Sequence, residues 1–398
     1  MQILESRPVS ERRIAYVSTY PPRECGIATF TKDLIDAIDE FDEFKSSVIA
    51  INEKGGIYNY DRRVKWSIDR DSVKDYARAA EYVNSSDIEL VNLQHEFGLF
   101  GGECGENIKV FLDKVEKPVV TTLHTVHPGF SEKALEVLKS IATKSASIVV
   151  ITNAAISILK NQNVPCEHCV VIPHGCPHID FLPDNKAVKE SLGLENRFVI
   201  STFGLISKGK GIEYAIRALP YVIKNEPRVL YIIIGETHPE VRKNEGEKYR
   251  NKLTRLVSEL GLEGHVRFNN RFLSKRELAR YLQATDVYLT PYISPNQISS
   301  GTLTYALGSG KAVVSTPYLH AQETLADNRG LFCKFKDPAS IGEGVNKLLD
   351  ARLRTAIQSA AYEYSRRFLW PNVARKYVSL FKTVIKNQER IPIVASTR

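Results

Sequence analysis

No stretch of the 398-residue chain approaches the roughly 18 uninterrupted apolar residues that a membrane-spanning helix needs. The opening MQILESRPVSERR carries charges where a signal peptide would be apolar, so the expected location is the cytoplasm. Internal repeats of short period and low-complexity tracts are also missing, which removes solenoids and fibrous arrays from consideration. Cysteines are few and scattered: Cys25, Cys104, Cys166, Cys169, Cys176 and Cys333. That spread in a long chain excludes a small disulfide-stapled scaffold and favours free thiols. A strong charge of one sign is lacking over most of the chain. The net charge is +8, but the segment 365–398 holds eight basic residues against the single acid Glu389, and so supplies seven of the eight charges. The nearly neutral remainder argues against a nucleic-acid binder with a basic face throughout and leaves only a local anionic partner.

What is present is the composition of a globular protein, 43% apolar and 25% charged, at a length that suits two domains of about 200 residues each. Short β-branched runs recur, each bounded by Gly, Pro or polar residues. In the first half they are RIAYVST (13–19), SSVIAIN (46–52), IELVNLQ (88–94), PVVTTLH (118–124), SIVVITN (147–153) and CVVIPH (169–174). In the second half they are FVISTFG (198–204), VLYIIIG (229–235), HVRFNN (265–270), DVYLTPY (286–292), KAVVSTPY (311–318) and GLFCKF (330–335). Nearly continuous hydrophobicity means cover on both faces, and stretches of helical period between the runs make the sheets parallel. Two doubly wound α/β domains follow, with a boundary expected in the polar stretch 180–196. The last helix carries Trp370, Val373, Ala374, Tyr377, Val378, Phe381, Val384 and Ile385 as one apolar stripe that must pack on something. Beyond it, 390–398 has no periodicity and is expected to fray.

Ligands of open parallel sheets sit beyond the carboxyl ends of the strands, and the unusual residues cluster there. After the first strand, PPRECGIATFTKDLIDAI has Gly26 for a tight turn and Thr29 or Thr31 to cap the following helix. Such a helix start suits a phosphate, although an ordinary βα turn would read the same. The third run ends in Gln94, His95 and Glu96 and the fourth in His124, polar groups at one rim that packing alone does not call for, though each histidine could be structural. In the second half, FGLISKGKGIEYAI (203–216) sets Gly204, Gly209 and Gly211 with Lys208 and Lys210 between strand and helix, a better anion loop than the first but without Walker spacing. A polar loop from Gln297 to Gly301 enters a helix near Thr302, capped by Ser299 or Ser300. CEHCVVIPHGCPH offers Cys166, His168, Cys169, His174, Cys176 and His178 as soft ligands. A strand running through 169–174 would scatter them, so thiols rather than a bound metal are expected.

Taken together, the glycine loop at Gly26, His124, IPHG (172–175), FGLISKGKG (203–211), ATDVYLTPY (284–292), YALGSGKAVVST (305–316) and LWPNVARKYVSLF (369–381) give a chain that resembles the retaining glycosyltransferases of family 4 over essentially its whole length. The resemblance implies the GT-B fold, two Rossmann-like parallel-sheet domains facing a cleft: an acceptor domain over 1–185, a donor domain over 196–365, and a helix over 366–389 returning to the first. It also implies transfer of a hexose from a nucleotide sugar to a hydroxyl of a carbohydrate acceptor with retained configuration. His124, Lys210 and Gln297 would be catalytic. Gly26, Gly204, Lys208, Arg271, Ser300, Gly301, Thr302 and Tyr305 would bind the donor, and Gln94, His95 and Glu96 the acceptor.

Two departures stand out. The family's pair of glutamates eight positions apart is Gln297 and Tyr305 here, and the arginine after the phosphate-loop glycine is Leu205, while its lysine partner survives as Lys210. The leaving phosphate needs positive charge as the sugar acquires oxocarbenium character, so Lys210, helped by Lys208 or Arg271, would serve. The same substitutions keep two other readings open, a retaining phosphorylase using sugar 1-phosphate and an inactive GT-B partner subunit. No metal or other cofactor and no nucleic acid is implied. The basic tail adds the expectation of a weak contact with an anionic membrane surface, peripheral at its inner face.

Overall fold

The structure, a computed structural model, describes residues 11–390, so most of the charged opening and of the frayed end expected from the sequence lies outside the described residues. Two compact units are formed, one running to Pro173 and resuming at Trp370, the other His174–Leu369. The first holds β1 (Arg12–Ser18), β2 (Phe44–Asn52), β3 (Val64–Asp69), β4 (Leu90–His95), β5 (Val119–Leu123), β6 (Ser147–Val150) and β7 (Cys169–Val171), in the order β3-β2-β1-β4-β5-β6-β7. The second holds β8 (Phe198–Phe203), β9 (Val229–Ile234), β10 (Val266–Asn269), β11 (Val287–Thr290), β12 (Ala312–Ser315) and β13 (Leu331–Phe332), in the order β10-β9-β8-β11-β12-β13. Every pairing in both sheets is parallel.

Alternate residues of a strand point to opposite faces, and in the first sheet both faces are dry. Ile14, Tyr16, Val48 and Ala50 enter one core cluster, while Ala15, Val17, Ile49 and Ile51 enter another. Continuous apolar runs are therefore required. β3 was absent from the runs read in the sequence. Its VKWSID segment alternates and stays half open, as an edge strand covered on one face does.

The helix Trp370–Glu389 lays its apolar stripe on the cluster containing Ile14, Tyr16, Phe30 and Leu34. It begins at Trp370, because 366–368 form a separate 3-10 turn inside the second unit. Of the tail cations, Lys382 pairs with Glu43, and the lone acid Glu389 takes Arg12 at 3.5 Å. Lys376, Lys386 and Arg390 are exposed.

The break at Pro173 precedes the polar stretch 180–196 in which a boundary was expected. That stretch packs within the second unit: Phe181 stacks on Tyr362 at 5.1 Å, and Lys189 forms a buried 2.6 Å ion pair with Asp286. Next to this pair Lys311 is fully buried, its Nζ donating to the carbonyls of Gln283 and Thr285 at 3.3 Å each. Burial pushes its pKa down from 10.5 to about 8, against the pull of Asp286. The unfolded chain then binds more protons than the folded one between those values, so this group makes the protein more stable as pH rises from about 8 toward 10.5. Relative to Lys311→Met, the wild type should gain stability on the order of 3 kcal/mol across that window in urea titrations. Parallel curves for the two proteins would rule this out.

Candidate functional site

In the second sheet the strand order reverses between β8 and β11, so the loops after these strands face each other at a switch point. Gly204, directly after β8, has φ +118°, a conformation that side chains rarely adopt, and a Cβ there would lie 3.0 Å from Thr302 Cγ2 and 3.8 Å from Lys210 Nζ. Gly211 closes the turn at φ +63°, where a Cβ would come within 2.0 Å of the Pro291 carbonyl. The two loops are clasped there, with the Ile293 amide donating to Gly209 at 3.1 Å.

Lys210 leaves the single 3-10 turn Lys208–Lys210 and donates to the Tyr292 hydroxyl at 2.7 Å, its Nζ 4.3 Å from the ring centroid. That hydroxyl lies 2.7 Å from Thr302 Oγ1 and 3.4 Å from Ser300 Oγ. Burial raises the phenol's pKa, but the Lys210 charge and the hydrogen bonds shared with Lys210, Ser300 and Thr302 outweigh it, and the net direction is down.

Ser300 caps the helix Gly301–Gly308, its hydroxyl accepting from the Leu303 amide at 3.3 Å. The Ser300 amide donates to His320 Nδ1 at 2.8 Å, and the His320 amide returns a bond to the Gln297 carbonyl at 3.0 Å. Burial drives His320 down to about 3, so its ring stays neutral and able to accept. Gly301 lies against His174: a Cβ would be 2.8 Å from its Nε2. The result is an ammonium, hydroxyls and a helix start gathered at one point, where the Ser300 cap takes the Leu303 amide. This is the chemistry of an oxyanion or phosphate site.

Gly204, Lys210, Ser300, Gly301 and Thr302 are thus brought together, and Gln297 stands in the turn beside them with its side-chain amide donating to the Ser299 carbonyl. Lys208 and Arg271 each make an exposed ion pair, the first with Glu245 at 2.7 Å and the second with Glu277 at 2.8 Å. Tyr305 is buried in the core beneath the helix, with Phe203 6.1 Å away. Tyr292 and His320 do not stand out in the sequence as site residues, and His174 stands out there only as a soft metal ligand and within IPHG. Tyr292 had a signal, as the last residue of ATDVYLTPY at the end of β11.

In the first unit the reversal lies between β1 and β4. Gly26 starts the helix Gly26–Ile38, and a Cβ there would meet no atom within 4 Å, so packing does not demand glycine. The N-cap is Cys25; Thr29 and Thr31 lie inside the helix and bond back to the Cys25 and Ile27 carbonyls, not across the cap.

Gln94 donates to Asn92 Oδ1 at 2.5 Å, which turns its own oxygen toward His124 Nε2 at 2.8 Å and makes that nitrogen the donor. The His124 ring is held edge-on against Phe30 at 4.7 Å. Glu96 accepts from the Phe97 amide at 3.0 Å and from Thr125 at 2.5 Å; burial raises its pKa and these bonds oppose the rise. His95 does not reach the rim. It is fully buried, stacked on Phe100 at 5.7 Å with Phe97 edge-on at 4.8 Å, and pushed down to about 3 by burial, so its ring is uncharged, and neither ring nitrogen meets a hydrogen-bond partner among the described residues.

All six cysteines are free thiols. Among the described residues no group of three or more His, Cys, Asp or Glu side chains is placed to hold a metal ion. No described helix is long and apolar enough to cross a membrane.

Residues 184–364 match the family model "Glycosyl transferases group 1". An uncharacterized glycosyltransferase of Methanocaldococcus jannaschii is 24% identical over 257 residues, 62% of this chain and 61% of that protein. D-inositol 3-phosphate glycosyltransferase of Corynebacterium urealyticum is 27% identical over 199 residues, 49% of this chain and 45% of that one. The matches with these relatives therefore span less than two thirds of their length. Among solved structures, Anabaena HepE in complex with UDP and glucose has a TM-score of 0.76 at 17% identity, over 94% of this chain and 100% of that chain. Sucrose-phosphate synthase of Thermosynechococcus elongatus has a TM-score of 0.77 at 16% identity, over 95% and 100%. At these identities the likeness is one of fold. The chain thus folds as two Rossmann-like α/β units of GT-B type, and the match to the glycosyl transferases group 1 model lies in the second of them, over somewhat less than half of the chain.

Proposed function

We propose that the protein is a retaining glycosyltransferase that moves a hexose from a nucleotide-sugar donor to a hydroxyl of a carbohydrate acceptor. The observation that carries this reading is the convergence of Lys210, Thr302 and Gly204 on the start of the Gly301–Gly308 helix, where a diphosphate would find an ammonium and backbone amides. As the glycosidic bond to the donor phosphate breaks, charge grows on the leaving oxygen, and these groups stabilise it there. Gln297 would lie along the sugar with an amide where a carboxylate would add negative charge. In the first unit, His124 would meet sugar hydroxyls, and Gln94 and Glu96 would serve the acceptor. In this reading the Lys210 ammonium and the helix start meet the diphosphate, and no metal is invoked. A weak contact of exposed Lys376, Lys386 and Arg390 with an anionic membrane belongs to the same proposal, at about 1 kcal/mol per cation near such a surface.

The burial of Tyr305 favours a second reading, because that position offers no carboxylate to a ribose. A phosphorylase using sugar 1-phosphate would not need one. A thermal-shift panel of nucleoside diphosphates, nucleotide sugars and sugar 1-phosphates separates the two, since ligand at a hundred times its Kd stabilises the folded state by about 2.7 kcal/mol. Nucleoside diphosphates and nucleotide sugars should raise the melting temperature. A rise with sugar 1-phosphates alone would shift the assignment to the phosphorylase, and no rise with any of them would leave the inactive partner subunit.

A further inference from the structure

We infer that Tyr292 is a positioning residue: its hydroxyl holds the Lys210 ammonium and the start of the Gly301–Gly308 helix in one arrangement before any anion arrives. The inference rests on the reading of Lys210 as a phosphate ligand. The Tyr292 ring is 1% exposed and stacks on the fully buried Tyr318 at 5.0 Å and 18°, so its direction is fixed by the core. A phenol has one hydrogen to give and lone pairs to accept with. Lys210 can only donate, so the Tyr292 oxygen accepts at 2.7 Å and the phenol hydrogen is left for Thr302 Oγ1, also at 2.7 Å. Thr302 Oγ1 in turn lies 3.2 Å from the capping hydroxyl of Ser300.

One buried oxygen thus ties a flexible lysine on the β8 loop to the first turn of a helix that follows β11. A lysine stem ordered in advance loses less freedom when it meets its ligand, which is how preorganisation raises affinity. Core packing alone does not explain the hydroxyl. Phenylalanine would fill the same space and stack on Tyr318 equally well.

Tyr292→Phe keeps the ring and removes the oxygen. Titration calorimetry with uridine diphosphate on the wild type, Tyr292→Phe, Lys210→Ala and the double variant reads the coupling. Tyr292→Phe should weaken binding about five- to tenfold when Lys210 is present and less than about twofold when it is absent. Equal losses in both backgrounds, or none, would overturn the inference.

A ligand-free arm keeps the two readings separable. With a limiting amount of acetic anhydride and peptide mass spectrometry, Lys210 should be acylated at least about fivefold faster, relative to exposed Lys208, in Tyr292→Phe than in the wild type, because its donor bond is gone. Unchanged acylation overturns the inference whether or not the nucleotide binds. Faster acylation in a protein that does not bind uridine diphosphate supports the Lys210–Tyr292 link and defeats the nucleotide-donor reading instead.

Discussion

Lys210→Ala is expected to lower turnover at least tenfold with the melting temperature unchanged. A charge-assisted bond to phosphate contributes about 1.5–3 kcal/mol, and roughly 1.4 kcal/mol is a factor of ten in rate. The effect should fall on kcat as well as KM, because the leaving phosphate gains charge in the transition state and the contact strengthens there. Stability should not move. Lys210 is half-buried at the end of a single 3-10 turn and belongs to no core cluster, and Tyr292 remains stacked on Tyr318 without it. Steady-state kinetics beside a thermal melt gives both readouts, and unchanged turnover in a folded variant would remove the phosphate role from this lysine.

The second large effect is on stability. Tyr377→Ala and Phe381→Ala should each cost about 3–5 kcal/mol, the range for deleting a fully buried aromatic. Both side chains are inaccessible to solvent. Tyr377 also exchanges a 3.0 Å hydrogen bond with Thr122 on β5, and Phe381 meets Phe44 edge-on at 6.2 Å. The rings lie 5.7 Å apart, so the double variant should lose less than the sum of the two. Denaturant titration checks this. A loss within about 0.5 kcal/mol, the size of an ordinary surface change, would mean that the last helix is not part of the first unit's core.

Strands were legible because burial on both faces leaves an unbroken apolar run, and each of the twelve runs in the sequence overlaps a strand of the structure. The thirteenth, β3, hid because an edge strand with one wet face looks like an ordinary polar segment. The break between the units hid for a related reason: Lys189 and Asp286 look solvated in sequence, and their pairing across 97 residues, with the stacking of Phe181 on Tyr362, shows that the polar stretch is packed.

The candidate site was legible where glycine and lysine mark a loop, and obscure where a role depends on distant partners. Lys208 and Arg271 resemble Lys210 until Glu245 and Glu277 are seen beside them. His95 sits one residue from Gln94 and Glu96, yet it faces the aromatic core, since successive strand side chains point to opposite faces. Tyr292 is 82 residues from Lys210, and no spacing rule links them.

The central claim is that the start of the Gly301–Gly308 helix and Lys210 hold the donor's phosphate. A crystal structure of the protein soaked with a nucleoside diphosphate tests it directly. A phosphate oxygen is expected about 2.7–2.9 Å from Lys210 Nζ, the distance of a charge-assisted hydrogen bond, with further oxygens on the amides of the helix's first turn. Phosphate bound at Lys208 or Arg271 with the Lys210 cluster empty would contradict it.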